Sequence, residues 1–272
     1  MSDKLKLYSQ YALVTGGSSG MGFQYALQLA KRGYNLIVVA LYQDETDKAC
    51  GQIREQYPEA DVVSIGMDLS AIDAPQRLYD KVFALRPDAQ VEVLINNAGL
   101  LHARHFRNLE AEQLTRIIMV HNHTMIQLCR LFLPAMLERH KGYILNVSSL
   151  AAFLPFSLLS TYASTKAFTR VFTKCLRTEC KRTGVKVGTV YFGAVDTNLY
   201  HLTKVQKRWA YGLGVMISAE RAARVALRMM FRGSSGRMPG LVNKLAWLAA
   251  PILRPSLIAA IDRWATKKWN LK

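Results

Sequence analysis

Six short apolar runs recur between residues 11 and 192, and each is followed by a longer segment with helical periodicity. The runs are Tyr11–Thr15, Asn35–Leu41, Asp61–Met67, Val91–Asn96, Gly142–Ser149 and Val185–Phe192. They are hydrophobic throughout instead of alternating with polar residues, the pattern of strands buried on both faces. The segments that follow read as helices: one to about Arg32, then Thr46–Tyr57, Ala74–Leu85, Ala111–Arg139 with Pro134 near its end, Thr161–Thr183 and Ser218–Phe231, where Ser218 suits an N-cap. Strands and helices in strict alternation need right-handed crossovers. The expected fold is therefore α/β, a doubly wound parallel sheet with helices on both faces.

The chain has 272 residues, half of them hydrophobic and a fifth charged, which suits one globular unit. We expect a single domain over 1–272, with a core of about 9–235 and a C-terminal helical extension of about 236–272. Cys50, Cys129, Cys175 and Cys180 lack metal-type spacing and read as free thiols of a reducing compartment. The N-terminus has no apolar stretch ahead of the first strand, and Leu245–Leu253 is too short to span a bilayer. A cytoplasmic location follows as the expectation, with contact at a membrane surface left open. The net charge is +17, but residues 201–272 hold 14 basic and two acidic side chains, or +12 of it. A basic quarter on a mildly basic body, with no recognition module, argues against a specific nucleic-acid binder.

The first strand runs into Thr15-Gly16-Gly17-Ser18-Ser19-Gly20-Met21-Gly22 and then a helix. A glycine turn there lets backbone N–H groups and the positive helix end approach a phosphate. Tyr162 and Lys166 stand at i,i+4 in a helical segment and so share one face. An ammonium beside a phenol favours the phenolate, as a proton-passing tyrosine needs. Ser149 ends the fifth run, at the sheet edge where α/β folds place their ligands.

TGGSSGMG, Asp68-Leu69, Asn96-Asn97-Ala98-Gly99, Ser149, Tyr162-x-x-x-Lys166 and Gly193-x-x-x-Thr197 stand in the order and spacing of the short-chain dehydrogenase/reductase family. The chain resembles that family over about residues 9–235, and its ketoacyl-reductase and hydroxysteroid-dehydrogenase branch in particular. The resemblance implies a Rossmann-type sheet binding a nicotinamide dinucleotide. It places Gly16, Ser18, Ser19, Gly20, Met21 and Gly22 at the pyrophosphate, and Leu41 near the adenosine ribose. Asp68 and Leu69 would meet adenine, and Asn97, Ala98 and Gly99 would lie beside the ribose and the fourth strand. Val195 and Thr197 would touch the carboxamide. Tyr162 would be the general acid or base, Lys166 would lower its pKa and hold the nicotinamide ribose, and Ser149 would orient the substrate oxygen. The resemblance also implies a homodimer or homotetramer.

Three positions depart from the family. Phe192-Gly193 replaces a Pro-Gly pair. A fourth catalytic residue, an Asn in relatives, falls on His121 by spacing from Pro134, or on Asn122 if the long helix carries a one-residue bulge. His121 and His123 at i,i+2 do not share a helix face, so no metal site is expected there. At the end of the second strand, Leu41 stands where NAD-preferring relatives carry an acid. With Ser18 nearby as a donor, NADP(H) is favoured and NAD(H) stays open.

After Thr197, Leu199, Leu202, Trp209, Leu213 and Met216 form an apolar stretch fringed by Lys204, Lys207 and Arg208. It reads either as a lid over a hydrophobic substrate or as a loop packed on its own core. With Phe153, Leu154, Phe156 and Leu158, it suggests a greasy pocket for an acyl- or steroid-like carbonyl or alcohol. Further on, Leu257, Ile258, Ile261, Trp264 and Ala265 share a helical face near Arg263, Lys267 and Lys268. Such a segment suits a membrane surface or a second subunit. The expected function is interconversion of a ketone and a secondary alcohol by hydride transfer. The alternative is a non-catalytic dinucleotide sensor or scaffold.

Overall fold

A computed structural model describes residues 10–154, 156–197, 203–212, 214 and 216–249. Its centre is a parallel six-stranded sheet of β1 (Gln10–Thr15), β2 (Asn35–Ala40), β3 (Val62–Gly66), β4 (Gln90–Asn96), β5 (Gly142–Ser149) and β6 (Val185–Phe192), in the order β3-β2-β1-β4-β5-β6. The chain order reverses between β1 and β4, and a crevice opens there at the carboxyl ends of the strands. The doubly wound arrangement expected from the apolar runs is the one formed.

Successive strand residues point to opposite faces, so each run feeds two cores. Ala12, Val14, Leu36, Val38, Val93 and Ile95 meet α1 (Gly20–Ala30), α2 (Gln43–Gln56) and α8 (Ala219–Phe231) through Leu29, Ile53 and Leu227. Leu13, Ile37, Val39 and Leu94 meet α3 (Ala74–Leu85), α5 (Thr124–Glu138) and α6 (Ser160–Glu179) through Leu78, Leu128 and Leu176. Full burial of one such side chain stabilises the fold by about 2 kcal/mol. As expected, Ser218 caps α8, its hydroxyl accepting from the Arg221 N–H at 3.3 Å.

The long helix expected over 111–139 is not continuous. α4 (Ala111–Ile118) and α5 are joined by a π-helical turn, Met119–His123, whose wider winding inserts one extra residue. The bulge considered for that helix is present. Pro134 lies inside α5, which runs on to Glu138.

Buried polar bonds fix α6 to the sheet. Asn96 Nδ2 donates to Asn146 Oδ1 at 2.8 Å, and Asn146 Nδ2 donates to Thr173 Oγ1 at 3.0 Å. Ser148 Oγ donates to the Lys166 carbonyl at 2.9 Å, which sets the helix that carries Tyr162 against the end of β5. Beyond the main sheet, short parallel strands β7 (Ala194–Asp196) and β8 (Met216–Ser218) flank α7 (Lys204–Gly212), and α9 (Leu241–Ala249) closes the described chain.

Candidate active site

A groove of about 560 Å³ follows the crevice. Its floor is the glycine turn. Gly16 has φ +66°, a left-handed conformation that other residues rarely adopt, and a Cβ on Gly22 would lie 1.8 Å from the Gly16 carbonyl oxygen. The turn is held from β4. Asn97 Nδ2 donates to the carbonyls of Thr15 (3.0 Å) and Gly16 (3.3 Å), while Thr15 Oγ1 accepts from the N–H groups of Asn97 (3.0 Å) and Ala98 (3.1 Å). Asn97 therefore acts mainly on the turn itself. α1 starts at Gly20 with no acid in its first turn, and the Ser19 side chain makes no cap bond. Its first N–H groups are free to meet an anion. The backbone cradle, the uncapped helix end and the groove volume together fit a dinucleotide.

Along this groove lie Gly16, Ser18, Ser19, Gly20, Met21 and Gly22, and with them Leu41, Asp68 and Leu69. Asn97, Ala98 and Gly99 line it as well, with Ser149, Tyr162, Lys166, Val195 and Thr197. Asp68 Oδ1 accepts from the Ser70 N–H (2.9 Å) and hydroxyl (2.7 Å), and Oδ2 from Arg116 Nη2 (3.3 Å). Partial burial would raise its pKa, but these donors outweigh it and hold the carboxyl below its ordinary value.

Tyr162, Lys166 and Ser149 are buried and adjoin the same groove wall. Burial raises the Tyr162 pKa, with the Ser149 hydroxyl pulling the other way. Burial brings Lys166 down to about 8. The ammonium donates to the Val147 carbonyl at 3.1 Å and lies over the Tyr162 ring, 5.6 Å from its centre. Desolvation is the larger influence on the phenol and favours its neutral form. Ser149 Oγ donates to the Phe192 carbonyl at 3.3 Å and accepts from the Ala151 N–H at 3.2 Å.

His121 and Asn122 are both buried, and neither lines the groove. The π turn directs both toward α6. Asn122 Nδ2 donates to the Thr165 carbonyl at 3.0 Å, and His121 Nδ1 lies 2.8 Å from Thr165 Oγ1. His123 faces elsewhere, with Nε2 2.9 Å from the Ile72 carbonyl.

Phe153, Leu154, Phe156 and Leu158 are also absent from the groove lining. Leu154 and Leu158 are buried in their own loop, and Phe153 packs edge-on against Tyr191 beneath the Arg170 guanidinium. Trp209 is 64% exposed and does not line the groove; Met216 is buried. Tyr211 ties α7 to β7, its hydroxyl donating to Asp196 Oδ2 at 3.1 Å. Leu199, Leu202 and Leu213, and the face formed by Leu257, Ile258, Ile261, Trp264 and Ala265, lie outside the described residues. Gly193 is backed by the buried Asn243 of α9, whose Oδ1 a Cβ would meet at 2.3 Å. The loop freed by the missing proline is thus packed from behind.

Sequence reasoning missed Glu45, Arg116 and Leu100, which line the groove. Arg116 and Asp68 are 48 residues apart, and no local pattern links them. Among the described residues, no helix is long and apolar enough to cross a membrane.

Residues 10–207 match the family model for short chain dehydrogenase. A very-long-chain 3-oxoacyl-CoA reductase of Bos taurus is 36% identical over 194 residues, 70% of this chain and 61% of that protein. The match therefore spans about three fifths of the bovine relative's length. A short-chain dehydrogenase from Sphingobium yanoikuyae in complex with NADPH superposes with a TM-score of 0.77 at 26% identity, covering 92% of this chain and 95% of the other. The bulky-bulky ketone specific alcohol dehydrogenase from Comamonas testosteroni gives a TM-score of 0.74 at 26% identity, covering 91% and 96%.

Proposed function

Since the chain belongs to the short-chain dehydrogenase family, we propose that it interconverts a ketone and a secondary alcohol on an apolar, acyl-like substrate. The observation that carries this reading is that Ser149, Tyr162 and Lys166 line the same groove as the glycine turn. A nicotinamide dinucleotide, when bound, supplies or takes up the hydride. Gly16, Ser18, Ser19, Gly20, Met21 and Gly22 hold its phosphates. Leu41, Asp68, Leu69, Asn97, Ala98 and Gly99 line its adenosine side, and Val195 and Thr197 its nicotinamide side.

In reduction, the Tyr162 hydroxyl protonates the carbonyl oxygen, which the Ser149 hydroxyl also holds. The raised pKa of Tyr162 keeps that proton in place until it is needed. In oxidation the same phenol must lose its proton first, and Lys166 stabilises the phenolate.

NADP(H) is the favoured cofactor. No carboxylate stands at Leu41, Ser18 can donate to a 2′-phosphate, and Arg116 lines the groove. The Sphingobium yanoikuyae relative is described with NADPH. The substrate class follows the bovine relative's 3-oxoacyl-CoA chemistry and the apolar side chains of Leu100, Val120 and Phe192 along the groove. The protein assembles through α4 and α6, where Ile118, Phe168 and Val171 are about half exposed.

The test is oxidation of NADPH, and separately of NADH, against a panel of 3-oxoacyl, steroid and small ketones. Turnover that Tyr162→Phe lowers by about 10³-fold, with dinucleotide affinity kept within a few-fold, supports the reading. Dinucleotide binding without oxidation across the panel would favour the sensor or scaffold instead.

A further inference from the structure

We infer that His121 is a neutral positioning residue, an imidazole locked in one tautomer that ties the groove loop at Leu100 to the helix carrying Tyr162. The inference rests on the catalytic reading of Tyr162 only for its consequence; the bonding itself stands apart from it.

A backbone N–H can only donate. The Leu100 N–H points at His121 Nε2 from 2.8 Å, so Nε2 carries no proton. The ring's single proton is therefore on Nδ1, which donates to Thr165 Oγ1 at 2.8 Å. The Thr165 hydroxyl in turn donates to the Tyr162 carbonyl at 2.8 Å. The chain of donors has one direction, Leu100 to His121 to Thr165 to Tyr162, with each group satisfied. A second proton on His121 would set N–H against N–H at Leu100. The surroundings oppose it as well, because the ring is 3% exposed and faces the Lys166 ammonium and His102. The Tyr162 ring lies edge-on to it, 5.7 Å between centres.

The strut acts on the groove loop that packs beside Tyr162. Leu100 follows Asn97-Ala98-Gly99 and, with Leu101, packs against Tyr162 and Ala163. A Cβ on Gly99 would come within 3.1 Å of His121 Nε2, so the loop is drawn close to the ring. The π turn makes the arrangement available. Consecutive residues of an α-helix point about 100° apart, yet here His121 takes the Thr165 side chain and Asn122 its carbonyl.

The experiment begins with the unmodified protein. Long-range ¹⁵N–¹H spectra of histidine-labelled protein should show His121 as the Nδ1–H tautomer, with no titration between pH 8 and 5. Hydrogen exchange is then followed at the Leu100 amide. His121→Leu should speed it by about tenfold or more, and His121→Gln, whose amide oxygen reaches the position of Nε2, should restore most of the protection. NADPH affinity, read by its fluorescence, should fall with the Leu variant and recover with Gln. An Nε2–H tautomer, titration of His121 within that range, or a Gln variant exchanging as fast as the Leu variant would each overturn the inference. None of these readouts needs a ketone substrate, so failure of the proposed reaction would be seen separately.

Discussion

Lys166 Nζ donates to the Val147 carbonyl at 3.1 Å while lying 5.6 Å from the centre of the Tyr162 ring. The lysine is thus anchored to the sheet and stands beside the tyrosine as a buried cation with no carboxylate partner among the described residues. Burial is what brings it down to about 8.

That value sets a pH dependence. An ammonium that loses its proton near pH 8 ceases to hold a ribose or to steady a phenolate. We expect kcat/KM for the reduced dinucleotide, which reports the free enzyme, to fall above about pH 8. Lys166→Arg keeps the charge at every pH and should move that limb upward. The stability sign is opposite to that of a paired lysine. Between about pH 8 and 10.5 the unfolded chain binds the extra proton, so folding stability rises with pH across that window. At pH 7 the buried charge costs up to about 3 kcal/mol, and Lys166→Met should raise the melting temperature while abolishing turnover.

Two glycines separate a close contact from a mere helix position. Gly22→Ala would drive a Cβ to 1.8 Å from the Gly16 carbonyl, so the turn must open. Dinucleotide affinity measured by calorimetry should drop by more than about tenfold. Gly51 lies within α2 with nothing within 4 Å of a Cβ, and Gly51→Ala should stabilise the protein by about 0.5–1 kcal/mol in urea unfolding.

Glu45 lines the adenosine end of the groove beside Leu41 and Tyr42. Its carboxylate repels a 2′-phosphate and can accept a hydrogen bond from a 2′-hydroxyl. Glu45→Gln should raise the NADPH-to-NADH ratio of kcat/KM by about fivefold, roughly 1 kcal/mol at the screened distances of an open groove. An unchanged ratio would remove Glu45 from cofactor selection.

Phe168 and Val171 stand one turn apart on α6, 44% and 54% exposed, with Phe168 stacked on Phe172 at 6.3 Å between centres. Ile118 on α4 is 48% exposed. If the proposed assembly forms, Val171→Asp should leave a monomer in sedimentation velocity, since an unpaired carboxylate resists burial at an apolar contact. A wild-type monomer at micromolar concentration would refute the assembly.

The strands and the site's main residues were legible because their signals are local. A run such as Asn35-Leu36-Ile37-Val38-Val39-Ala40 is apolar on both faces, and only a strand between two helix layers buries both. Tyr162 and Lys166 at i,i+4 share a face on any helix, and Ser149 ends a strand on any doubly wound sheet. The long helix shows the limit. Its periodicity ran through Met119–His123 unbroken, and only the structure shows the wider winding there and the bonds of His121 and Asn122 to Thr165.

The sequence by itself therefore determined the α/β class, the glycine turn and which residues could carry a proton. The tertiary structure alone decided how those residues are tuned. It placed Arg116 on Asp68 and Leu100 on His121, set Glu45 in the groove, and gave Tyr162 a raised pKa and Lys166 a lowered one. Spacing along a helix or strand follows from backbone geometry that every residue carries. Partnership and desolvation depend on groups tens of residues away in the chain, and they exist only once the layers have packed.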